Sequence, residues 1–246
     1  MDLEYLPCMK WRSVARTRLQ TMKTRYSLSA PLLKAALAAL VFSIGLAGPG
    51  FTSPDASATD RGLTPQSRAQ LPKADTFGTK LAHAALDRTR YDVRYEPAYV
   101  KLAYPGGDVD PSTGVCTDEI IRSYRTLGHD LQKLVHEDMK ANFRKYPQNW
   151  GLSRPDANID HRRVPNLQTF FKRKGASLPV TQEAADYQPG DLVTCTVPPH
   201  LPHIMIVVPS PEGDPRPWVV HNIGRGPQLE DNLFTYPLTG HYRWAP

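Results

Sequence analysis

The hydrophobic residues in the first half of the chain recur every three or four positions, which is the spacing of an amphipathic helix. Residues 116–128 are the clearest case, because their apolar stripe ends at Gly128, a typical helix stop. The stripe consists of Ile120, Ile121, Tyr124 and Leu127. Similar stripes predict three further helices, at residues 75–90, 131–146 and 164–174.

The pattern changes after residue 190 to short runs rich in β-branched residues, which proline and glycine separate. These runs predict four short strands, at residues 191–197, 203–208, 218–223 and 241–244. Helices followed by antiparallel strands favour an α+β fold. We therefore expect N-terminal helices, including the one that begins at Cys116, to pack on a small antiparallel sheet.

The N-terminal residues have the composition of an export signal. A basic segment precedes the apolar run 35–48, which is too short for a comfortable membrane span, and residues 56–58 read Ala-Ser-Ala, as at a signal cleavage site. We predict a signal peptide or export segment at residues 1–58, a polar linker at 59–74 and one domain at 75–246. An uncleaved anchor is the alternative to cleavage, and the mature protein is predicted to have no stable membrane span.

The charge of the chain gives no reason to expect nucleic acid binding. The net charge is +6, but the export segment holds seven basic and three acidic residues, so residues 59–246 carry only +2. Nucleic acid binding depends on a basic surface that neutralises phosphates. A nearly neutral domain therefore predicts no nucleic acid partner.

Cys116 is the first candidate for a catalytic residue. It lies at the predicted start of the helix 116–128, after a loop rich in glycine and proline. The free N–H groups and the dipole of a helix N-terminus stabilise a thiolate. The position favours a reactive nucleophile, and a small buried cysteine that only packs is the alternative.

Two of the eight histidines lie in apolar, strand-like runs. His203 begins the run H-I-M-I-V-V, and His221 lies within W-V-V-H-N-I-G. A buried imidazole needs a hydrogen-bonding partner, and adjacent strands would bring both histidines to one end of a sheet. Together with Cys116 they would form a nucleophile, a base and an orienting group. Two core histidines bonded to the backbone are the alternative.

Longer motifs make the chain similar to a known family. These motifs include Y-P-G-G-D-V, G-V-C-T-D-E-I-I-R-S-Y-R, N-I-D-H-R-R-V-P-N-L, P-G-D-L-V, L-P-H-I-M-I-V and V-V-H-N-I-G. On these motifs the region from about residue 75 to the C-terminus resembles the DUF1287 family of exported, YijF-like bacterial proteins. That family in turn resembles the papain-like cysteine peptidases of the NlpC/P60 type.

The resemblance implies a papain-like α+β fold and a periplasmic or secreted cysteine amidase or peptidase that acts on peptidoglycan stem peptides or cross-links. It implies Cys116 as nucleophile, His203 as base and His221 as orienting residue, with no metal and no other cofactor. The chain departs from the NlpC pattern after the cysteine, where it has threonine and aspartate instead of serine and glycine. Substrate contacts are expected from Asp118, Asp160, His161, Arg162, Arg163, Asn166 and Asn222.

Several alternatives stay open at this point. Cys116 and Cys195 are the two cysteines outside the export segment, and an exported pair often forms a disulfide. Histidines and aspartates between residues 129 and 161 are metal-ligand types, but no H-E-x-x-H or paired C-x-x-C accompanies them. A non-enzymatic module that binds the cell envelope, or a lipid-directed acyltransferase, would use the same fold.

Overall fold

A computed structural model describes residues 63–246, so the predicted export segment lies outside the described residues. The described part is α+β, as the sequence predicts, with most of its helices before most of its strands. The helices are α1 Pro65–Ala69, α2 Phe77–Arg88, α3 Cys116–Thr126, α4 Leu131–Asn142 and α5 Val164–Arg173. The strands are β1 Arg94–Tyr95, β2 Thr113–Gly114, β3 Ser177–Leu178, β4 Leu192–Val197, β5 Leu201–Val208, β6 Trp218–Asn222, β7 Pro227–Glu230 and β8 Leu238–Tyr242.

Six of the strands form one antiparallel sheet in the order β3-β8-β4-β5-β6-β7. The central strand β4 is paired with β5 along its whole length, from Leu192 opposite Ile206 to Val197 opposite Leu201. The ladder between β5 and β6, in contrast, covers only residues 206–208 of β5. The part of β5 that carries His203 is therefore free of β6 pairing, which leaves room beside it for another element.

Side chains alternate between the two faces of the sheet, and each face has its own core. Ile204 and Ile206 belong to the larger core, which the helices cover with residues such as Tyr124 and Phe171. The opposite face holds a smaller core, with Val193, Cys195, Met205, Val207, Val219, Tyr187 and Leu233. The helices therefore pack on one face of the sheet, and loop residues cover the other.

The N-terminus of α3 is fixed by a carboxylate rather than left free. Asp118, at the third helical position, accepts a hydrogen bond of 2.7 Å from the backbone N–H of Val115, the residue that precedes the helix. The same carboxylate accepts two hydrogen bonds of 2.9 Å from Arg162, and both side chains are only 2% exposed. This buried ion pair holds the start of α3 against the turn at residues 160–162.

The segment predicted as a linker contains structure in its described part. Residues 65–69 form α1, which Thr64 caps by accepting a hydrogen bond from the N–H of Ser67. Leu63 is buried, and Leu71 packs against the larger core. Although this segment is mostly polar, its two apolar residues Leu63 and Leu71 attach it to the rest of the domain. No helix within residues 63–246 is long and apolar enough to cross a membrane.

The turn before β4 is fixed by a glycine and a buried carboxylate. Gly190 has a positive φ of 89°, and a side chain there would overlap the backbone of Gly78. Asp191 follows and accepts hydrogen bonds from Arg243 at 2.7 Å and from His241 at 2.7 Å. This P-G-D turn therefore ties the start of the central strand to the last strand and to the N-terminus of α2.

The environment of Asp191 predicts how the stability of the folded protein changes at acid pH. Burial by itself would raise the pKa of this carboxyl, but the hydrogen bonds from Arg243, His241 and the Gln188 amide outweigh burial and hold the pKa below its ordinary 3.8. The unfolded chain therefore binds a proton at this group more readily than the folded one. Its stabilising contribution is complete above pH 3.8 and is lost as the pH falls through the folded-state pKa.

We expect the unfolding free energy in urea to fall with pH between about pH 5 and pH 2, and more steeply in the wild type than in Asp191→Asn. The stability difference between the two proteins should shrink over this range. Asp87→Asn is a matched control, since Asp87 is an exposed carboxylate, 54% accessible, paired with Arg68. Parallel curves for the wild type and Asp191→Asn would contradict this assignment.

Candidate active site

Cys116 is the first residue of α3, and its side chain reaches strand β5. The residue is 5% exposed and lines a cavity of about 400 Å³. The backbone N–H groups of Ile204 and Thr117 lie close enough to the thiol to lower its pKa. Because Ile204 directly follows His203, the thiol meets β5 beside the predicted base. The part of β5 that does not pair with β6 provides the space for the thiol.

The two predicted histidines form a direct pair. Nε2 of His203 lies 2.8 Å from Nδ1 of His221, and the two rings meet edge to face. Nε2 of His221 in turn lies 2.9 Å from a carboxylate oxygen of Glu230. The three residues come from neighbouring strands β5, β6 and β7, so the sheet arranges them in one line.

His203 and Cys116 approach each other from different directions. His203 lies opposite Cys195 in the ladder between β4 and β5, on the face away from the helices. The thiol reaches the backbone of β5 from the helical side. Among residues 63–246, no hydrogen bond joins the thiol directly to the imidazole of His203, so the structure brings the two groups to adjoining positions on the strand and not into contact.

Burial makes both groups neutral. It raises the pKa of the Cys116 thiol to about 12; the charge of Asp118 raises it further, and the amides of Ile204 and Thr117 offset only part of the increase. Burial, together with neighbouring His221, lowers the pKa of His203 to about 3. The thiolate expected from the helix N-terminus is therefore disfavoured in this structure, because desolvation exceeds the effect of the amides and the dipole.

The cavity beside Cys116 has an aromatic and a cationic side. Tyr95 and Trp150 contribute aromatic rings, and Arg162 and Arg163 contribute guanidinium groups. Pro202, which precedes His203, lines it as well. The cavity therefore adjoins both the thiol and the strand that carries the imidazole.

The two cavity arginines are bound differently. Arg162 is held by Asp118 and also donates to the carbonyls of Glu96 and Ala98, which leaves it little capacity for a ligand. Arg163 lies over the ring of Trp150, 4.0 Å from its centre, and donates to Asp160 through Nη1 alone. Its remaining N–H groups donate to no acceptor within residues 63–246, so Arg163 is the better candidate for contact with an anionic group.

The other predicted substrate residues do not line this cavity. Asp118 fixes the start of α3. Asp160 accepts from the N–H of Asp156 and pairs with Arg163, and Asn166 donates to the carbonyl of Asp160. Asn222 donates to the carbonyl of Gly114 at 3.4 Å. These contacts assign the polar motif at residues 160–166 largely to internal structure.

His161 is also internal, but its environment is different. It is 2% exposed, and its Nδ1 has no hydrogen-bond partner among the described residues. Burial lowers the pKa of this imidazole to about 3, with the nearby Arg162 charge acting in the same direction. A neutral, enclosed imidazole that does not line the cavity is a core residue.

Sequence reasoning missed Glu230, Tyr95 and Trp150. Glu230 lies in β7, whose sequence P-Q-L-E lacks the apolar alternation that predicts a strand. The signal that could have found it is the E-D-N motif that follows the V-V-H-N-I-G motif in the sequence. Tyr95 and Trp150 lie in segments whose position relative to Cys116 depends on the fold alone.

The disulfide and the metal site were the alternatives for the cysteines and histidines. Cys116 and Cys195 are both free thiols and both buried. Within residues 63–246 no group of three or more histidine, cysteine, aspartate or glutamate side chains is arranged to hold a metal ion.

Fold and site together define an α+β protein with a buried cysteine beside a strand-borne histidine pair. A family model described as "Domain of unknown function (DUF1287)" matches residues 82–244, which is more than half of the chain. The chain belongs to this family, which confirms the predicted DUF1287 membership.

The chain is similar to the "Uncharacterized protein YijF" of Escherichia coli (strain K12). The two are 53% identical over 150 residues, which cover 61% of this chain and 73% of the relative. No solved structure matches the chain.

Proposed function

We propose that this protein is an exported cysteine amidase or peptidase with a papain-like, NlpC/P60-type arrangement. The observation that carries the proposal is the contact of the Cys116 thiol with the Ile204 amide, one residue from the His203–His221 pair, at the wall of a cavity. A thiol, a base and an orienting group are the minimum set for nucleophilic acyl transfer.

The reaction begins from neutral groups. As Sγ of Cys116 attacks the amide carbonyl carbon, His203 takes the thiol proton, and it then gives that proton to the leaving amine as the C–N bond breaks. Water attacks the resulting thioester, with His203 again accepting a proton, and releases the carboxylate and the thiol. The thiol and the imidazole do not touch in the free protein, so this step requires them to come within hydrogen-bond distance when substrate binds.

The oxyanion of the tetrahedral intermediate needs hydrogen-bond donors. The N–H of Cys116 lies at the first position of α3, where no carbonyl within the helix can accept from it. We assign this amide to the oxyanion. A helix N-terminus also favours negative charge at this point.

Peptidoglycan stem peptides or cross-links are the proposed substrates. Their amide bonds lie close to free carboxylates, and guanidinium groups bind carboxylates with short, charge-assisted hydrogen bonds. Arg163 presents unused N–H groups at the cavity, and the Trp150 ring beneath it fixes the plane of the guanidinium. The predicted export segment agrees with a periplasmic or secreted location.

The proposal is tested by incubating the purified protein with peptidoglycan fragments and identifying products by mass spectrometry. Hydrolysis of an amide is expected to yield a new amine and a new carboxylate. In water labelled with oxygen-18, one labelled oxygen should enter the carboxylate. Absence of any cleaved fragment, with binding retained, would overturn the enzymatic proposal.

A non-enzymatic envelope-binding module is the second candidate, and one observation favours it. Burial keeps the Cys116 thiol protonated, with its pKa raised to about 12, so the resting protein lacks a reactive thiolate. A binding module would use the same cavity and Arg163 without chemistry. The products of peptidoglycan digestion distinguish the two candidates.

Alkylation measures the state of Cys116 directly. We expect iodoacetamide to label Cys116 slowly at pH 7 to 8, more slowly than a free cysteine, with a rate that rises about tenfold per pH unit up to pH 10, because only the thiolate reacts. Mass spectrometry of peptides separates Cys116 from Cys8 and Cys195. Cys195, whose pKa burial also raises to about 12, is the internal control.

Unfolding in urea should make both buried cysteines react at the rate of ordinary thiols. Rapid labelling of Cys116 in the folded protein below pH 8 would show a thiolate and contradict the neutral resting state. Slower labelling in His203→Ala at the same pH would identify the imidazole as its partner.

A further inference from the structure

The histidine pair continues into a carboxylate that nothing in the sequence motifs assigned to the site. Glu230 Oε2 lies 2.9 Å from Nε2 of His221, and Nδ1 of His221 lies 2.8 Å from Nε2 of His203. His221 is fully buried and His203 nearly so. The two imidazoles of this hydrogen-bonded line, called the relay below, are therefore enclosed by protein, and Glu230, whose side chain is 22% exposed, forms its outer end.

The carboxylate determines which nitrogen atoms carry protons along this line. The hydrogen bond from His221 holds the pKa of Glu230 below its ordinary value against the effect of burial, with further support from Asn232 and Arg225. An ionised carboxylate only accepts hydrogen bonds, so Nε2 of His221 must donate. A neutral His221 then has a bare Nδ1, which accepts from Nε2–H of His203.

The remaining nitrogen of His203 is the basic one. With Nε2 protonated, Nδ1 carries the lone pair, and no hydrogen bond within residues 63–246 uses this atom. The titratable groups next to His203 are Cys195, which lies opposite it on β4, and His221 on β6. Cys116, whose thiol lies beside the backbone N–H of the next residue, Ile204, lines the cavity and has a thiol proton to give.

We propose that Glu230 is a positioning residue that acts through His221 to set the tautomer of His203 and to stabilise its imidazolium when the proton of Cys116 is transferred. The assignment rests on the proposed acyl transfer for its kinetic consequences. The tautomer of His203 does not depend on whether the protein is an enzyme. The role of Glu230 in setting that tautomer and the proposed acyl transfer can therefore be tested separately.

Glu230 is itself held in place by two neighbours. Asn232 donates a short hydrogen bond to Oε2, the oxygen that binds His221, and Arg225 donates to Oε1 at 3.2 Å. The Arg225 side chain is 75% exposed, so solvent screens its charge. Arg225→Gln is therefore a matched control: it alters the outer contact of Glu230 and leaves the bond to His221 intact.

The first test observes the tautomer by nitrogen-15 NMR of the full chain labelled on histidine. In the wild type, Nε2 of both His203 and His221 should show the shift of a protonated nitrogen, and Nδ1 the shift of a bare one. Glu230→Gln keeps an acceptor and should preserve this pattern. Glu230→Leu removes the acceptor and should mix or reverse the tautomers of both rings.

The second test uses the hydrolysis of peptidoglycan fragments. Glu230→Gln is expected to lower kcat by about 10- to 100-fold, as for other residues that orient a catalytic histidine indirectly, with KM nearly unchanged. Loss of the negative charge destabilises the imidazolium, so the acid limb of the kcat/KM profile should move to lower pH. Glu230→Asp should recover part of kcat, and Arg225→Gln should stay within a few-fold of the wild type.

The outcomes separate the two proposals. The predicted tautomers without any hydrolysis would support the relay and overturn the enzymatic function. Hydrolysis that Glu230→Gln and Glu230→Leu leave unchanged in rate and pH profile would overturn the role of Glu230 alone. If Glu230→Leu fails to fold, Glu230→Gln and the wild-type nitrogen shifts still decide the question, since a wild-type His203 protonated on Nδ1 contradicts the relay.

Discussion

Replacing Cys116 with alanine is expected to reduce the hydrolysis of peptidoglycan fragments by about 10⁴- to 10⁶-fold, which is the cost of removing the nucleophile from comparable sites. Among residues 63–246, Cys116 is the one cysteine that lines the cavity, so no other described group there can form the thioester. The substitution removes one sulfur atom from a buried position and leaves the helix start intact. The fold should therefore persist, with a loss of about 1 kcal/mol in unfolding free energy.

Cys195→Ala is the matched control for this loss. Cys195 is as buried as Cys116, at 1% exposed, but it packs in the smaller core on the opposite face of the sheet. It should lower stability by a similar amount and keep activity within a few-fold. Equal activity of Cys116→Ala and the wild type, measured by initial rates at equal protein concentration, would contradict the assignment of the nucleophile.

Replacing Asp118 with alanine is expected to lower the unfolding free energy by about 3 to 5 kcal/mol, because it leaves the buried guanidinium of Arg162 without its counter-charge. Both side chains of this pair are 2% exposed, and the carboxylate also binds the N–H of Val115. Urea denaturation followed by circular dichroism measures the loss.

An exposed ion pair provides the control for Asp118. Asp87 pairs with Arg68 at 2.8 Å, but the two side chains are 54% and 36% exposed. Asp87→Ala should cost less than about 1 kcal/mol, since solvent screens such pairs. The double replacement Asp118→Leu and Arg162→Met should recover part of the loss by removing both charges. A similarly small loss for Asp118→Ala would show that water reaches Arg162.

Asp118 affects Cys116 in two ways, through its charge and through the position of α3. The charge of Asp118 raises the pKa of the Cys116 thiol, yet the same carboxylate fixes the first turn of α3. The contacts observed for Asp118 and Arg162 are structural, and their substrate role stays a prediction. The ion pair therefore fixes the position of Cys116, and the charge of Asp118 makes the thiol less acidic.

The sequence by itself determined the main elements of the fold. Helical spacing predicted α2 to α5, and β-branched runs predicted β4, β5, β6 and β8, because each buries a continuous apolar face whose period is visible in the chain. It also predicted Cys116 at a helix start and His203 and His221 on strands. These features depend on local spacing, and the resemblance to the DUF1287 family reinforced them.

Tertiary structure alone decided the electrostatics and the partners. A helix N-terminus favours a thiolate, but the depth of burial, which sequence spacing does not reveal, raises the pKa of Cys116. The buried pairing of Arg162 with Asp118 depends on how residues 160–162 pack against α3 and not on the motif that contains Arg162. Glu230 joins His221 only because β7 pairs with β6. Desolvation and long-range pairing depend on the whole packed chain, so they are properties of the fold and not of any motif.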